Sequence, residues 1–215
     1  MRLSRALAGL VATASAASAF PASFLPVGNL PSQSTTAELI NKNIGDIQGA
    51  VANVTAAVQA AVDAKDGDGD GDAPAAYAVL GRAITLQALV QTARLNSNGI
   101  REPFSPEDSA AVVDNLGDLL SAVQAASTQL LAAKSAGVLG ALADFGGPNG
   151  KFLQPLGITG YLELLTTDAA AFLKAVLSYL DGSVKDSAGT VASSINGALQ
   201  GIEAAYTPSK QRTMA

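Results

Sequence analysis

Acidic side chains alternate with other residues in the run Asp66-x-Asp68-x-Asp70-Gly71. This spacing matches the front half of an EF-hand loop, where carboxylates converge on Ca²⁺ and glycine allows a sharp turn. The last ligand position of such a loop falls on Tyr77, which cannot supply the bidentate carboxylate that completes the site. A calcium loop and a solvated acidic turn both fit the run. The missing carboxylate favours the turn, and we predict no metal site.

Histidine and cysteine do not occur in this sequence, which excludes the usual nucleophilic, proton-transfer and zinc chemistry. The Gly-x-Ser-x-Gly and Ser-x-x-Lys motifs of acyl-transfer enzymes are also missing. Gly150-Lys151 imitates a phosphate loop, but Phe145 and Phe152 stand where that motif requires glycine and a hydroxyl residue. We therefore predict no enzyme and no cofactor. One alternative to this prediction is a hydrolase that uses carboxylates or serine as its catalytic groups.

Asn53-Val54-Thr55 is an acceptor sequence for N-glycosylation, which requires an exported chain. The first residues predict export: Arg2 and Arg5 precede an apolar stretch, and Ala17-Ser18-Ala19 forms a small-residue cleavage site. We predict a signal peptide at residues 1–19 and a secreted protein, with Asn53 as a candidate for glycosylation.

The chain is acidic, with a formal charge of −5 that becomes −7 when a leader with two basic and no acidic residues is removed. Nucleic acid is therefore not an expected partner, because phosphate binding needs clustered Lys and Arg. No segment is long and apolar enough for a transmembrane anchor. The predicted location is extracellular, free or associated with the cell wall.

The candidate residues named above must be positioned by helices, because apolar side chains recur at alternating steps of three and four along most of the chain. Thr35-x-x-Glu38 has the form of a capping box, and Ser105-Pro106 is a second start signal. The fold class that we predict is all-α, an elongated antiparallel bundle of four or five long amphipathic helices. The predicted helices cover residues 35–65, 72–96, 106–134, 159–180 and 183–206.

Two features leave alternatives open. Residues 135–160 are rich in glycine and apolar residues; we predict a short helix at 138–145 and an irregular connector that could act as a lid. The pairs Gly45/Gly49 and Gly197/Gly201 place small residues one turn apart. Close packing against a neighbouring helix is one interpretation. The other is that glycine and alanine leave internal volume for an acyl chain.

An alanine-, serine- and leucine-rich chain of long helices behind a leader resembles the fungal family of hydrophobic surface-binding protein A and the cell wall galactomannoproteins, or antigenic mannoproteins. The residues that carry the resemblance are Ile44-x-x-Ile47, the Gly/Asp loop, Ser105-x-Glu107-Asp108, Val112-x-x-x-Leu116-x-x-Leu119, Leu130-Leu131-Ala132-Ala133-Lys134 and the helix from Ile195 to Tyr206. The chain departs from the family in its glycine-rich connector and in lacking a Ser/Thr-rich linker.

The resemblance implies a secreted protein that holds a fatty acid or another amphiphile inside its bundle, or that coats a hydrophobic surface or the cell wall. The alternative is a structural or adhesive surface protein without an internal ligand. The predicted domains are the signal peptide, an extended arm at residues 20–34, the helical bundle at 35–206 and a polar tail at 207–215. The inward residues that we predict to contact lipid are Leu80, Ile84, Leu116, Leu119, Val123, Phe172, Val176, Ile195 and Ile202.

Overall fold

The computed structural model describes residues 35–65, 72–135 and 157–207. Within these ranges the chain forms helices and no strand, which confirms the all-α prediction. The predicted signal peptide and N-terminal arm, the Asp/Gly run at 66–71, the predicted short helix at 138–145 with its connector, and the predicted tail beyond 207 lie outside the described residues. The helices are α1 Ala37–Lys65, α2 Asp72–Ser97, α3 Pro106–Ser135, α4 Gly157–Tyr179 and α5 Lys185–Tyr206.

One predicted helix start is confirmed and the other is wrong by one residue. Ser105 caps α3: its Oγ accepts a hydrogen bond from the backbone N–H of Asp108 at 3.1 Å. For α1 the cap is Thr36, whose Oγ1 accepts from the N–H of Leu39 at 3.3 Å. Thr35 is unable to cap because it is buried and its hydroxyl donates to the carbonyl of Asn96 at 2.8 Å.

Each helix packs against two others, and these contacts close a ring in the order α1, α2, α4, α5, α3. Helices that follow one another in the chain are neighbours in the ring only as α1–α2 and α4–α5. The ring forms because each helix has apolar residues to bury, and turning them inward buries those of all five helices together.

Hydrogen bonds near the ends of the helices show in which direction each helix runs relative to its neighbours. The N–H of Thr35 donates to the carbonyl of Gly99 at 3.1 Å, which places the start of α1 beside the end of α2. The N–H of Phe104 donates to the carbonyl of Tyr179 at 2.8 Å, which places the start of α3 beside the end of α4. These two pairs of consecutive helices are thus antiparallel. The ring neighbours α1–α3 and α3–α5 are parallel, because Asn115 bonds Asn41 near the starts of α3 and α1 and Tyr206 bonds Leu130 near the ends of α5 and α3. The contacts of α2 with α4 run in the same direction along both helices, so this pair is parallel too.

The predicted apolar stripes of α1, α3 and α4 form the core of the ring, together with Ile195 and Ile202 of α5. Ile40, Ile44 and Val58 of α1 are fully buried. The same holds for Val112 and Leu116 of α3 and for Val176 of α4. Because these stripes repeat at the helical period, the sequence was sufficient to place them.

The predicted inward face of α2 is wrong. Ile84 is 45% exposed and Leu80 is only half-buried, while Val79, Leu86 and Val90 fill the core in their place. Apolar residues occur on most sides of α2, so their periodicity does not select one face. Contacts with α1 and α4 make that selection.

The two glycine pairs face outward, which overturns both interpretations given to them. A Cβ atom added at Gly45, Gly49, Gly197 or Gly201 would meet no other atom within 4 Å. No helix of the described ranges packs closely on these positions, and all four glycines are exposed.

At Gly99 the lack of a side chain matters. An added Cβ would lie 2.5 Å from Thr35 Oγ1 and 3.1 Å from the Asn96 carbonyl, so that Gly99→Ala must displace the Thr35 hydroxyl, which donates to that carbonyl. We expect this substitution to lower the free energy of unfolding by about 1–3 kcal/mol. Gly81→Ala is the matched control: with open space around it on helix α2, it should raise stability by about 0.5–1 kcal/mol. Urea unfolding measures both, and equal shifts would contradict the packing of Thr35 on Gly99.

Candidate functional site

A small apolar cavity lies on the axis of the ring, at the middle of all five helices. Its volume is about 40 Å³. Every helix contributes to the wall, and every lining side chain is apolar. The lining residues are Ile47, Val51, Leu86, Val90, Leu119, Val123, Leu165, Ala169, Phe172, Leu173, Ile195 and Leu199.

The size of this cavity decides what it can hold as it stands. A cavity needs about 10–15 Å³ measured in this way to hold one water molecule, so the space is sufficient, but a buried water also needs polar partners, which this wall lacks. Pockets that enclose small organic ligands measure about 300–1,000 Å³. The ring is therefore almost closed, and an acyl chain could enter only if the helices or their side chains moved outward.

A polar cluster lies in the wall between α2 and α4, at the same height as the cavity. Asp168 precedes the cavity residue Ala169 and is 6% exposed. Its carboxylate accepts hydrogen bonds from the guanidinium of Arg94 and, at 2.7 Å, from Nε2 of Gln87. Of the two ion pairs between described residues, Arg94–Asp168 joins two helices, whereas Lys42–Asp46 lies within α1.

One polar atom of this cluster, on the side chain of Gln87, makes no hydrogen bond. Its Oε1 is buried and has no hydrogen-bond partner, as is also true of Asn43 Nδ2 and Asn196 Oδ1 among the described side chains. The amide must point its Nε2 at Asp168, since an oxygen facing a carboxylate would be repelled. A buried acceptor without a donor costs about 1–3 kcal/mol.

Known structures share this fold. Afmp4p, solved in complex with palmitic acid, aligns with a TM-score of 0.60 at 16% identity, over 79% of this chain and 98% of that one. Ligand-binding domain 1 of the Penicillium marneffei MP1 protein, complexed with arachidonic acids, aligns with a TM-score of 0.56 at 16% identity, over 76% of this chain and 94% of that one. No family profile and no curated protein matches the sequence. At this identity the alignments establish a common fold.

The residues that the sequence predicted for the interior separate into three groups. Leu119, Val123, Phe172 and Ile195 line the cavity. The core also contains Leu116, Val176 and Ile202, which are buried away from the cavity wall. Leu80 and Ile84 do not reach the interior, for the reason given for α2. Contact of any of them with lipid stays a prediction.

Sequence reasoning missed other parts of the site. Val90 lines the cavity, and the Arg94–Asp168 pair bridges positions that are 74 residues apart. A signal existed for Asp168, because an acid among the apolar residues of α4 stands out against the stripe. Its partner could not be identified without the pairing of α2 with α4. Asn53 is exposed on α1, and its glycosylation remains a prediction.

Two tyrosines tie helices together through their hydroxyls. Tyr161 of α4 donates to the carbonyl of Ala83 on α2, and Tyr206 of α5 donates to the carbonyl of Leu130 on α3 at 2.7 Å. Burial raises the pKa of Tyr161 well above its usual range and raises the pKa of Tyr206 to about 12. Both phenols therefore hold their protons more tightly in the folded protein than in the unfolded chain.

This linkage predicts loss of stability in alkali. The folded state keeps protons that the unfolded state releases above a pKa of about 10, so stability declines as the pH rises from about 10 to 12. The double variant Y161F/Y206F should show a shallower decline, although it is less stable at neutral pH because it lacks two hydrogen bonds. Unfolding midpoints measured between pH 8 and pH 12 with about one-unit steps test this. Parallel curves for the two proteins would contradict it.

Proposed function

We propose that this protein is a secreted, non-catalytic carrier that binds a fatty acid or a similar amphiphile inside the ring of helices. The observation that carries the proposal is the wholly apolar cavity on the ring axis, to which every helix contributes. Two proteins with the same fold were solved with palmitic acid and with arachidonic acids, which supports this choice of ligand. They also support kinship with the hydrophobic surface-binding and galactomannoprotein family.

Uptake of a ligand in this proposal is an expansion of the ring. A cavity of about 40 Å³ costs only about 1 kcal/mol at 24 cal/mol per Å³, so the ring is packed almost completely across its axis. Side chains that contact one another across the axis would contact the acyl chain instead. Affinity then depends on how readily adjacent helices separate.

No helix in the described ranges is long and apolar enough to cross a membrane.

Native mass spectrometry of the purified protein with palmitic acid tests the proposal. We expect saturable uptake, seen as a mass increase of one or a few whole ligands. Ala169→Leu, which adds carbon atoms to the cavity wall, should weaken uptake about tenfold, equivalent to about 1.4 kcal/mol. Ala125→Leu, on the exposed side of α3, is the matched control and should bind as the parent does. The absence of uptake by the parent protein would overturn the proposal.

A coating function is the second candidate, and one observation favours it. Tyr77, Ile84 and Leu95 are 60%, 45% and 63% exposed and share the outer side of α2. An apolar row of this kind can adsorb to a hydrophobic surface or a cell wall. Strong adsorption to a hydrophobic surface without uptake of palmitic acid would establish coating as the function.

A further inference from the structure

The walls of the cavity raise a problem for any ligand with a charged end. All the lining side chains are apolar, and a carboxylate without partners is prohibitively costly to bury among them. The acyl chain can lie on the axis only if its head group reaches polar atoms in the wall. The cluster of Gln87, Arg94 and Asp168 offers such atoms at the height of the cavity.

We propose that this cluster between α2 and α4 is the head-group site, where Arg94 binds the carboxyl group of the ligand in competition with Asp168. The inference rests on the proposed function and specifies the site where the head group binds. It orients the ligand: the head group lies in the α2–α4 wall, and the acyl chain extends inward to the ring axis.

Arg94 has the chemistry and the position for this role. A guanidinium binds a carboxylate through two parallel N–H···O hydrogen bonds, the strongest pairing available to such a head group. The side chain of Arg94 is 45% exposed, so a carboxylate beside it keeps part of its hydration. One turn earlier on the same helix, Val90 lines the cavity. The guanidinium therefore lies at the partly exposed α2–α4 contact, about one helical turn from a residue of the cavity wall.

Gln87 adds a requirement that a fatty acid can meet. Its Oε1 is a buried acceptor without a donor. A hydroxyl group supplies the missing O–H; a carboxyl group supplies it only in its protonated form, with Arg94 then bound to the carbonyl oxygen alone, and an ester does not supply it. The ligand class indicated by the cluster is thus an acyl chain that ends in a carboxylic acid or an alcohol.

Asp168 is the internal competitor in this site. Its carboxylate already neutralises Arg94, and a ligand carboxylate that enters beside it meets a like charge. The pair Arg94–Asp168 also holds α2 against α4, so the competition weakens the contact between these two helices. Removing the charge of Asp168 should therefore strengthen the binding of an acid.

The test compares palmitic acid with its methyl ester, which has the same acyl chain. By isothermal titration, Arg94→Gln should lower the affinity for the acid by about tenfold or more and leave that for the ester within about twofold. Asp168→Asn should raise the affinity for the acid by about fivefold or more, again with little change for the ester. Lys42→Gln removes the cation of the α1 ion pair and is the matched control, with no change for either ligand.

The ratio of acid to ester affinity is measured within one folded variant, so a general loss of stability cancels from it. If Arg94→Gln does not fold, the rise in this ratio for Asp168→Asn decides the matter alone. Uptake of both ligands with an unchanged ratio in the variants would overturn the head-group site and leave the carrier function standing. Failure of the parent protein to bind either ligand would instead overturn the carrier function itself.

Discussion

Phe172→Ala should lower the free energy of unfolding by about 3–5 kcal/mol. Phe172 is 2% exposed, lies at the middle of α4 and forms part of the wall on the ring axis. Its removal joins a side-chain-sized void to a cavity that already exists, and the ring cannot close over it without shifting helices that are packed on both sides. Chemical denaturation with urea measures the loss.

Leu164→Ala is the control for this substitution. Leu164 lies on the same helix but is 44% exposed, so its truncation should cost less than about 1 kcal/mol. The enlarged cavity gives a second readout: saturating palmitic acid should recover more stability in Phe172→Ala than in the control, because ligand atoms fill the void. A loss below about 1 kcal/mol in Phe172→Ala would show that α4 does not pack into the ring as described.

Val123→Asp should destabilise the protein by at least about 3 kcal/mol at pH 7. Val123 is 5% exposed on α3, and the cavity that it lines contains no polar side chain to pair with a carboxylate. The introduced charge should also abolish uptake of palmitic acid. Ala125→Asp, two residues further along and exposed, should change the stability by less than about 0.5 kcal/mol.

The deficit in Val123→Asp should depend on pH with a definite sign. Burial raises the pKa of a carboxyl group, so the folded variant holds its proton at pH values where the unfolded chain, with a pKa of about 3.9, has lost it. The deficit is therefore smallest below about pH 4 and grows as the pH rises. Unfolding midpoints of the variant and of Ala125→Asp at pH 4 and pH 7 test this. A deficit that is independent of pH would mean that position 123 is open to water.

The small size of the cavity bears on both candidate functions. A carrier with a large permanent cavity would lose stability in its empty state, at about 24 cal/mol per Å³. A cavity of about 40 Å³ avoids most of that loss, and under the proposed carrier function a bound ligand would compensate for the separation of the helices. The same property suits a coating protein, whose helices must separate to turn their apolar faces toward a surface.

The sequence by itself determined the helices and most of their buried faces. Ile44 on α1, Leu116 on α3 and Ile195 on α5 recur at the helical period, and each is buried because only one side of its helix is apolar. Ser105 sets the start of α3 because its hydroxyl satisfies a backbone N–H that the first turn leaves free. These are local effects, decided within one or two turns of helix.

Tertiary structure alone decided which side of α2 faces inward, which helices are neighbours and where the polar cluster forms. Leu86 is buried and Ile84 is exposed because α1 and α4 cover one side of a helix that is apolar on most of its sides. Asp168 meets Arg94 because α2 and α4 lie side by side and parallel, a pairing that short-range periodicity does not encode. The volume of the cavity is the small difference between the volume that the five helices enclose and the volume of the side chains that fill it. Such a difference depends on every packing contact at once, so no single segment of the sequence could determine it.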